Sequence, residues 1–327
     1  MMRTLFLYPI SIIIYIIIFL RNKFYDFNLL PIQKSKIPVI SIGNIQMGGT
    51  GKTPFVIALT QKLLEDNIKP LIITRGYKRK TTNQIIFNDI EKYTAMEVGD
   101  EPYYMKQVLK TVPIIIDHNK KQAIKVAENM SDIDCIILDD GYQSRYIQRD
   151  VEIVLINTEL PNKSFSIVPL GCLREPIFNL HRAEFIYTTK GPEIHSLLKN
   201  YNTKYIQSNF QIVKYNKNGV IEKQSEIYKS KTQRLVAFSG IANPEHFFKI
   251  LNKLGVVVDE KIIFNNHHTY KLDGSDLKQS DNIIYITTYK DYVKLKELKI
   301  EIYILEMNFI LNDSKLLKTI REKINEN

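Results

Sequence analysis

The segment that most restricts the fold is a β-branched run, Val39-Ile40-Ser41-Ile42. It leads into Gly43-Asn44-Ile45-Gln46-Met47-Gly48-Gly49-Thr50-Gly51-Lys52-Thr53-Pro54, after which a helical pattern begins. Strand, glycine loop and helix is the order that turns successive backbone N–H groups onto one anion while the helix adds its positive end. In such a loop Gly48, Gly49, Thr50 and Gly51 form the cradle and Pro54 opens the helix, while Lys52 reaches the β- and γ-phosphates and Thr53 offers its hydroxyl to Mg²⁺. Gln46 stands where the usual G-x-x-x-x-G-K-[ST] pattern has its first glycine, so the strict pattern is broken. The strand before and the helix after compensate for it.

Such a unit needs a sheet around it. Short apolar runs, Leu71 to Thr74, Ile114 to Ile116, Ile136 to Leu138 and Ile153 to Ile156, alternate with helix-length stretches such as Thr53 to Asp66 and Lys120 to Met130. They predict an α/β fold of the P-loop NTPase type, a doubly wound and mostly parallel sheet. Residues 205–232 are polar with alternating apolar positions and an Asn216-Lys217-Asn218-Gly219 turn, the pattern of a β-ribbon connector. Leu235 to Phe238, Ile283 to Thr287 and Ile302 to Leu305 again read as strands, so residues 233–327 predict a second, smaller α/β domain. A chain of 327 residues has room for both.

A phosphate loop requires an acidic partner, and Asp139-Asp140-Gly141 supplies one at the end of an apolar strand, with Asp139 the natural Mg²⁺ group. The two motifs specify nucleoside triphosphate binding but are shared by many ATPases and GTPases. An N/T-K-x-D guanine element is missing, the nearest string being Tyr270-Lys271-Leu272-Asp273, which favours ATP. A membrane-peripheral ATPase or GTPase of the metallochaperone or partitioning type is the alternative, and a catalytically silent nucleotide-binding module is a third reading. Lys plus Arg (45) exceed Asp plus Glu (35), giving a formal charge of +10 that suits anionic partners. Lysine is spread along the whole chain, so the excess by itself does not indicate nucleic acid. Cys135 and Cys172 lie far apart and form no C-x-x-C, which suggests neither a disulfide framework nor a zinc site and fits a reducing compartment.

The N-terminus carries an uncharged run from Thr4 to Leu20 that as a helix would reach roughly 25 Å, short of a hydrocarbon core of about 30 Å. Arg21, Asn22 and Lys23 follow it in place of a small-residue cleavage site, so the segment is expected to stay on the protein. Residues 1–22 therefore read as a short membrane anchor or an interfacial helix, with a buried core helix as the plainer reading.

The motifs in their order resemble the tetraacyldisaccharide 4′-kinase family of lipid A biosynthesis. The resemblance rests on the N-terminal apolar helix, the glycine loop, Thr74-Arg75-Gly76-Tyr77, Val98-Gly99-Asp100-Glu101-Pro102, Asp139-Asp140-Gly141-Tyr142-Gln143 and Arg149-Asp150. It continues through Pro169-Leu170-Gly171-Cys172-Leu173-Arg174-Glu175-Pro176, Gly240-Ile241-Ala242-Asn243-Pro244 and His267-His268. It implies transfer of the γ-phosphate of ATP, with Mg²⁺, to the 4′-hydroxyl of a lipid-borne glucosamine disaccharide at the cytoplasmic face of the inner membrane. The protein would be a monomer without nucleic acid. By the same resemblance Asp100 is the base and His267 its partner. Thr53, Asp139 and Glu101 are the Mg²⁺ ligands, and Arg75, Arg174 and Gln143 are the substrate-side residues. Family roles cannot be carried onto Lys78, Ser144 and Asn266, where the family commonly has Gly, His and Asp, and Lys120 replaces an Arg, keeping charge but losing the bidentate fork. Deletion of residues 1–22 is expected to lower vesicle association and activity on lipid far more than ATP affinity, measured by co-sedimentation, phosphoryl transfer and nucleotide binding on the same preparation.

Overall fold

The computed structural model describes residues 2–192, 195–215, 221–223, 233–241, 243–266, 268, 270–271, 275–278, 280–295 and 302–326. They form two compact units, Met1–Ser208 with Phe309–Asn327, and Asn209–Asn308. In the first, β1 (Val39–Asn44), β2 (Pro70–Thr74), β3 (Ile85–Phe87), β4 (Ile114–Ile116), β5 (Cys135–Asp139), β6 (Val151–Asn157), β7 (Phe185–Thr189) and β8 (Thr203–Tyr205) make one sheet. Its order is β3-β4-β2-β5-β1-β6-β7-β8. All neighbours run parallel except β3, which pairs antiparallel with β4. The expected strands are there because β1, β2, β4, β5 and β6 are buried along their whole length, as near-continuous apolar runs in a parallel sheet must be.

The helices of this unit are α1 (Met2–Asp26), α2 (Lys52–Glu65), α3 (Ala95–Val98), α4 (Asp100–Val108), α5 (Lys120–Ala127) and, from the C-terminus, α8 (Ser314–Asn325). α5 begins where the Asn119 side chain accepts from the Gln122 N–H at 3.2 Å, and its Ala123, Ile124 and Ala127 pack with Val39, Leu71, Ile73, Ile136 and Leu138. On another part of the sheet, Ile45, Tyr142, Val154 and Ile156 pack with Phe165, Leu173 and Leu180. α2 differs from α5 in having no side-chain cap among the described residues; Gly51, in the left-handed region at φ 87°, precedes it. Its first N–H groups are therefore left for an anion rather than satisfied by a side chain.

The second unit holds β9 (Ser208–Tyr215), β10 (Ile221–Lys223), β11 (Arg234–Ser239), β12 (Glu260–Ile263), β13 (Ile283–Thr288) and β14 (Ile302–Phe309), with α6 (Pro244–Lys253) and α7 (Tyr289–Tyr292). Its sheet runs β10-β9-β14-β13-β11-β12, around a core of Leu235, Ala237, Phe247, Leu251, Ile286 and Tyr303. The partition drawn from sequence differs in two places. In the segment after 205, β9 and β10 pair antiparallel as a ribbon, and that ribbon is part of the second sheet rather than a separate connector. The expected turn at 216–219 lies outside the described residues. The C-terminal helix belongs to the first unit: Asp313, at the start of α8, accepts from the Tyr187 hydroxyl at 2.7 Å and pairs with Lys204 at 2.6 Å, and Leu316 and Ile320 are buried. An amphipathic helix states that it has a core to cover, not which one.

α1 is longer than the uncharged run suggested, at 25 residues roughly 37 Å. The stretch Phe6–Asp26 is long and apolar enough, by length and composition, to cross a membrane. The core-helix reading fails on exposure: Phe6 is 75% exposed, Ile13 57% and Ile17 60%, while the buried side chains of this stretch are the polar Ser11 and Asn22. Amphipathy is thus inverted, polar inward and apolar outward.

At the carboxyl ends of β1 and β5 the two chains nearly touch. A Cβ built on Gly43 would lie 2.5 Å from the Cβ of Tyr142 and 2.7 Å from its backbone nitrogen. Gly43→Ala is expected to lower unfolding stability by about 1–3 kcal/mol in denaturant titration, the cost of overpacking against backbone.

Candidate active site

The glycine loop is held at both ends. Asn44, the last residue of β1, donates from Nδ2 to the Thr50 hydroxyl at 2.8 Å across the loop, and Gly48 takes a left-handed φ of 103°. Gln46 is fully buried. Its side-chain amide donates to the Asn157 carbonyl at 3.1 Å and its side-chain carbonyl accepts the Asn157 N–H at 2.8 Å, tying the loop to the end of β6. A glycine there could make neither bond, which gives the departure from the strict motif a structural reason. The loop entry also pairs with a distant segment: Met47 N–H donates to Cys172 O at 2.6 Å and Arg174 N–H to Ile45 O at 2.7 Å. That short antiparallel ladder sets Arg174 beside the phosphate loop.

Asp139 and Asp140 end β5 in unlike surroundings. Asp139 is 4% exposed. Its Oδ2 accepts from the Thr74 hydroxyl at 2.8 Å, and its Oδ1, also buried, has no hydrogen-bond partner among the described residues. Burial first, then the charges of Glu101 and Asp140, push its carboxyl up to about 6. Asp140, at φ 50°, lies 3.3 Å from the Lys52 ammonium and accepts from Arg174 Nη1 at 3.0 and 2.9 Å. Burial would raise its carboxyl, but the Lys52, Arg174 and Lys120 charges outweigh burial and hold it down at about 2.

Lys120, which keeps the charge of an arginine but not its bidentate fork, has a definite place. It is buried, and its ammonium donates to the backbone carbonyls of Asp139 at 2.8 Å and Asp140 at 2.7 Å. Two carbonyl oxygens need a point charge, not a fork. Burial lowers its amine to about 8 against the attraction of Asp140 and Asp139, with the Arg75 and Lys52 charges adding to the lowering.

The remaining sequence-predicted residues fall into groups. Lys52, Arg174 and Asp140 come together; Glu101, beside Asp100 at the start of α4, couples electrostatically to Asp139. The close approach of Gly99 to Gly76 and Tyr77 O lays this helix start against the loop after β2. Arg75 is exposed and donates from Nε to His118 Nδ1 at 3.1 Å, a partner with no motif of its own. Gln143 braces the loop, donating from Nε2 to Asn44 O at 2.9 Å and to Glu175 at 3.1 Å. His267 lies outside the described residues.

A divalent cation fits this donor set. Asp139 presents a buried oxygen without a partner, and among the described residues no group of three or more His, Cys, Asp or Glu forms an all-protein cage. One or two carboxylates plus substrate phosphates is the mode Mg²⁺ favours. Because the folded carboxyl of Asp139 sits above its unfolded value, its stability contribution is present below about pH 4 and is lost as pH rises through about 6. Asp139→Asn is therefore expected to stabilise the nucleotide-free protein above pH 7 by on the order of 2 kcal/mol. That gain should vanish below pH 4 in chemical denaturation, while metal-dependent nucleotide binding is lost.

Comparison with known proteins agrees with the resemblance seen in the motifs. The family profile described as tetraacyldisaccharide-1-P 4′-kinase matches residues 3–325. Proteins named tetraacyldisaccharide 4′-kinase are 33% identical over 316 residues in Halothermothrix orenii (88% of this chain, 82% of that one). In Aquifex aeolicus the identity is 32% over 302 residues, and in Francisella novicida 36% over 299 residues, each pair covering 89% of both chains. A solved structure of LpxK from Aquifex aeolicus, described as an "apo" form in complex with ATP, superposes with a TM-score of 0.82 at 31% identity and covers 99% of both chains. By its whole-length match and by the loop, acidic pair and arginine just described, the chain belongs to the tetraacyldisaccharide-1-phosphate 4′-kinase family.

Proposed function

We propose that the protein transfers the γ-phosphate of ATP to the 4′-hydroxyl of a tetraacylated glucosamine disaccharide 1-phosphate, as a monomer working at the cytoplasmic face of the inner membrane. The observation that carries the reading is the convergence of Lys52 and Arg174 on Asp140 next to an oxygen of Asp139 that has no partner among the described residues. Family membership and the ATP complex of the Aquifex aeolicus relative support it.

The nucleotide triphosphate takes the uncapped start of α2, where Gly48, Gly49, Thr50, Gly51 and Pro54 shape the cradle. Lys52 and Arg174, which pair with Asp140, offer their donors to phosphate oxygens. Thr53, Asp139 and Glu101 are the residues that would hold Mg²⁺, which when bound supplies charge neutralisation at the β- and γ-phosphate oxygens. A sugar hydroxyl is a very weak acid, so Asp100 accepts its proton as the oxygen bonds to the γ-phosphorus, and the family resemblance gives His267 a part in the same proton transfer. The bond from the γ-phosphorus to the β–γ bridging oxygen breaks, and its electron pair leaves with ADP. Arg75 recognises phosphate on the acceptor side, and Gln143 keeps the loop entry in place.

The outward apolar face of α1 fits the substrate. A lipid with several acyl chains stays in the bilayer, since each buried CH₂ is worth about 0.8 kcal/mol, so an enzyme with a bilayer-seeking helix meets it there. Incubation with ATP, Mg²⁺ and the disaccharide lipid is expected to add one phosphate to the non-reducing sugar, seen by mass spectrometry. Asp100→Ala and His267→Ala should lower transfer by at least about 10²-fold while ATP still binds; Lys52→Ala should weaken ATP binding itself. Nucleotide hydrolysis that needs no sugar lipid and survives Asp100→Ala would instead indicate an ATPase.

A further inference from the structure

The two buried polar side chains of α1 among the described residues, Ser11 and Asn22, reach the active-site scaffold. Asn22 donates from Nδ2 to Glu175 at 3.0 Å, and Glu175 is fully buried. The same carboxylate takes Arg182 at 2.7 Å, Asn179 at 2.9 Å and Gln143 at 3.1 Å. Glu175 follows Arg174 directly in the chain. Half the helix away, the Ser11 hydroxyl donates to Ile167 O at 2.9 Å and accepts the Leu170 N–H at 3.3 Å. Between Ile167 and Glu175 the chain has neither helix nor strand of its own. Its inner partner is the entry of the phosphate loop, through Met47 and Ile45; its outer partner is α1.

We propose that α1 is a strut of the phosphoryl-transfer site as well as an apolar anchor: Asn22, through Glu175, and Ser11, through the backbone at 167–170, are positioning residues that hold this segment so that Arg174 meets Asp140 beside Lys52. A helix serving only as an anchor gains nothing from burying an amide and a hydroxyl, which cost free energy unless each finds a partner. Here each partner lies on the segment that carries Arg174. Displacement of a charged group by about 1 Å at a transfer site can cost as much as 10²-fold in rate even when the altered residue is remote. Removal of residues 1–22 confounds the two roles, so single substitutions are needed to separate them.

The inference rests on the kinase reading, and the wild-type protein measured in parallel separates the two: a wild-type chain without phosphoryl transfer defeats that reading, whereas an active one makes the variants decisive. The test uses the full chain, the lipid acceptor in nonionic detergent micelles, saturating ATP and Mg²⁺, and co-sedimentation with phosphatidylethanolamine–phosphatidylglycerol vesicles. Asn22→Leu is expected to lower kcat by about tenfold with KM for the lipid within about twofold and co-sedimentation unchanged; Ser11→Ala should move kcat the same way by a smaller factor. Asn22→Leu combined with Glu175→Gln should lose less than the product of the two single effects. If Asn22→Leu does not fold, Ser11→Ala decides. Wild-type kcat in the folded variants, or a kcat loss matched by an equal loss of co-sedimentation, overturns the proposal.

Discussion

Two carboxylates on adjacent residues end a buried strand, and the site is arranged around the cost of burying them. The fold divides the pair. Asp140 turns out at φ 50° toward Lys52 and Arg174 and stays ionised; Asp139 stays inside with a hydroxyl from Thr74 and one oxygen unmatched. Lys120 stabilises the turn by bonding the carbonyls of both residues rather than their carboxylates, leaving those for nucleotide and cation chemistry. Each cation comes from a different strand end or connecting segment of one parallel sheet, where an α/β fold gathers its ligand-binding groups.

The inverted polarity of α1 follows from the same site. A segment without regular structure can aim a guanidinium only if both of its flanks are fixed. One flank is the glycine-loop entry and the other is a helix that turns apolar side chains outward between Phe6 and Leu20. Solvent that suits that surface is hydrocarbon rather than water.

Much of this was legible in the sequence. Apolar runs bounded by glycine or acidic turns marked β1, β2, β4, β5 and β6, and the glycine motif marked the start of α2, because those signals are local and periodic. Lys52 and Arg174 stand out in the sequence as candidate site residues, whereas Asp140 is visible only as the neighbour of Asp139, with no sign that it holds the two cations. What escaped was long-range pairing of ordinary residues. Glu175 is one acid among many until Asn22 and Gln143 are folded onto it, and His118 carries no motif that links it to Arg75. α8 went to the other domain because an amphipathic face does not record its partner. Gln46 looked like a blemish in the motif since its benefit lies at Asn157, far along the chain.

That last pairing bears on how the protein is made. Gln46 and Asn157 are separated by 111 residues, and the backbone partners of Ile45 and Met47 lie later still, at Arg174 and Cys172. A ribosome that has delivered the glycine motif has therefore not yet delivered what shapes it. The bonds that hold the loop entry form only once the chain through residue 174 has emerged, and a prematurely terminated fragment carries the signature without the grip.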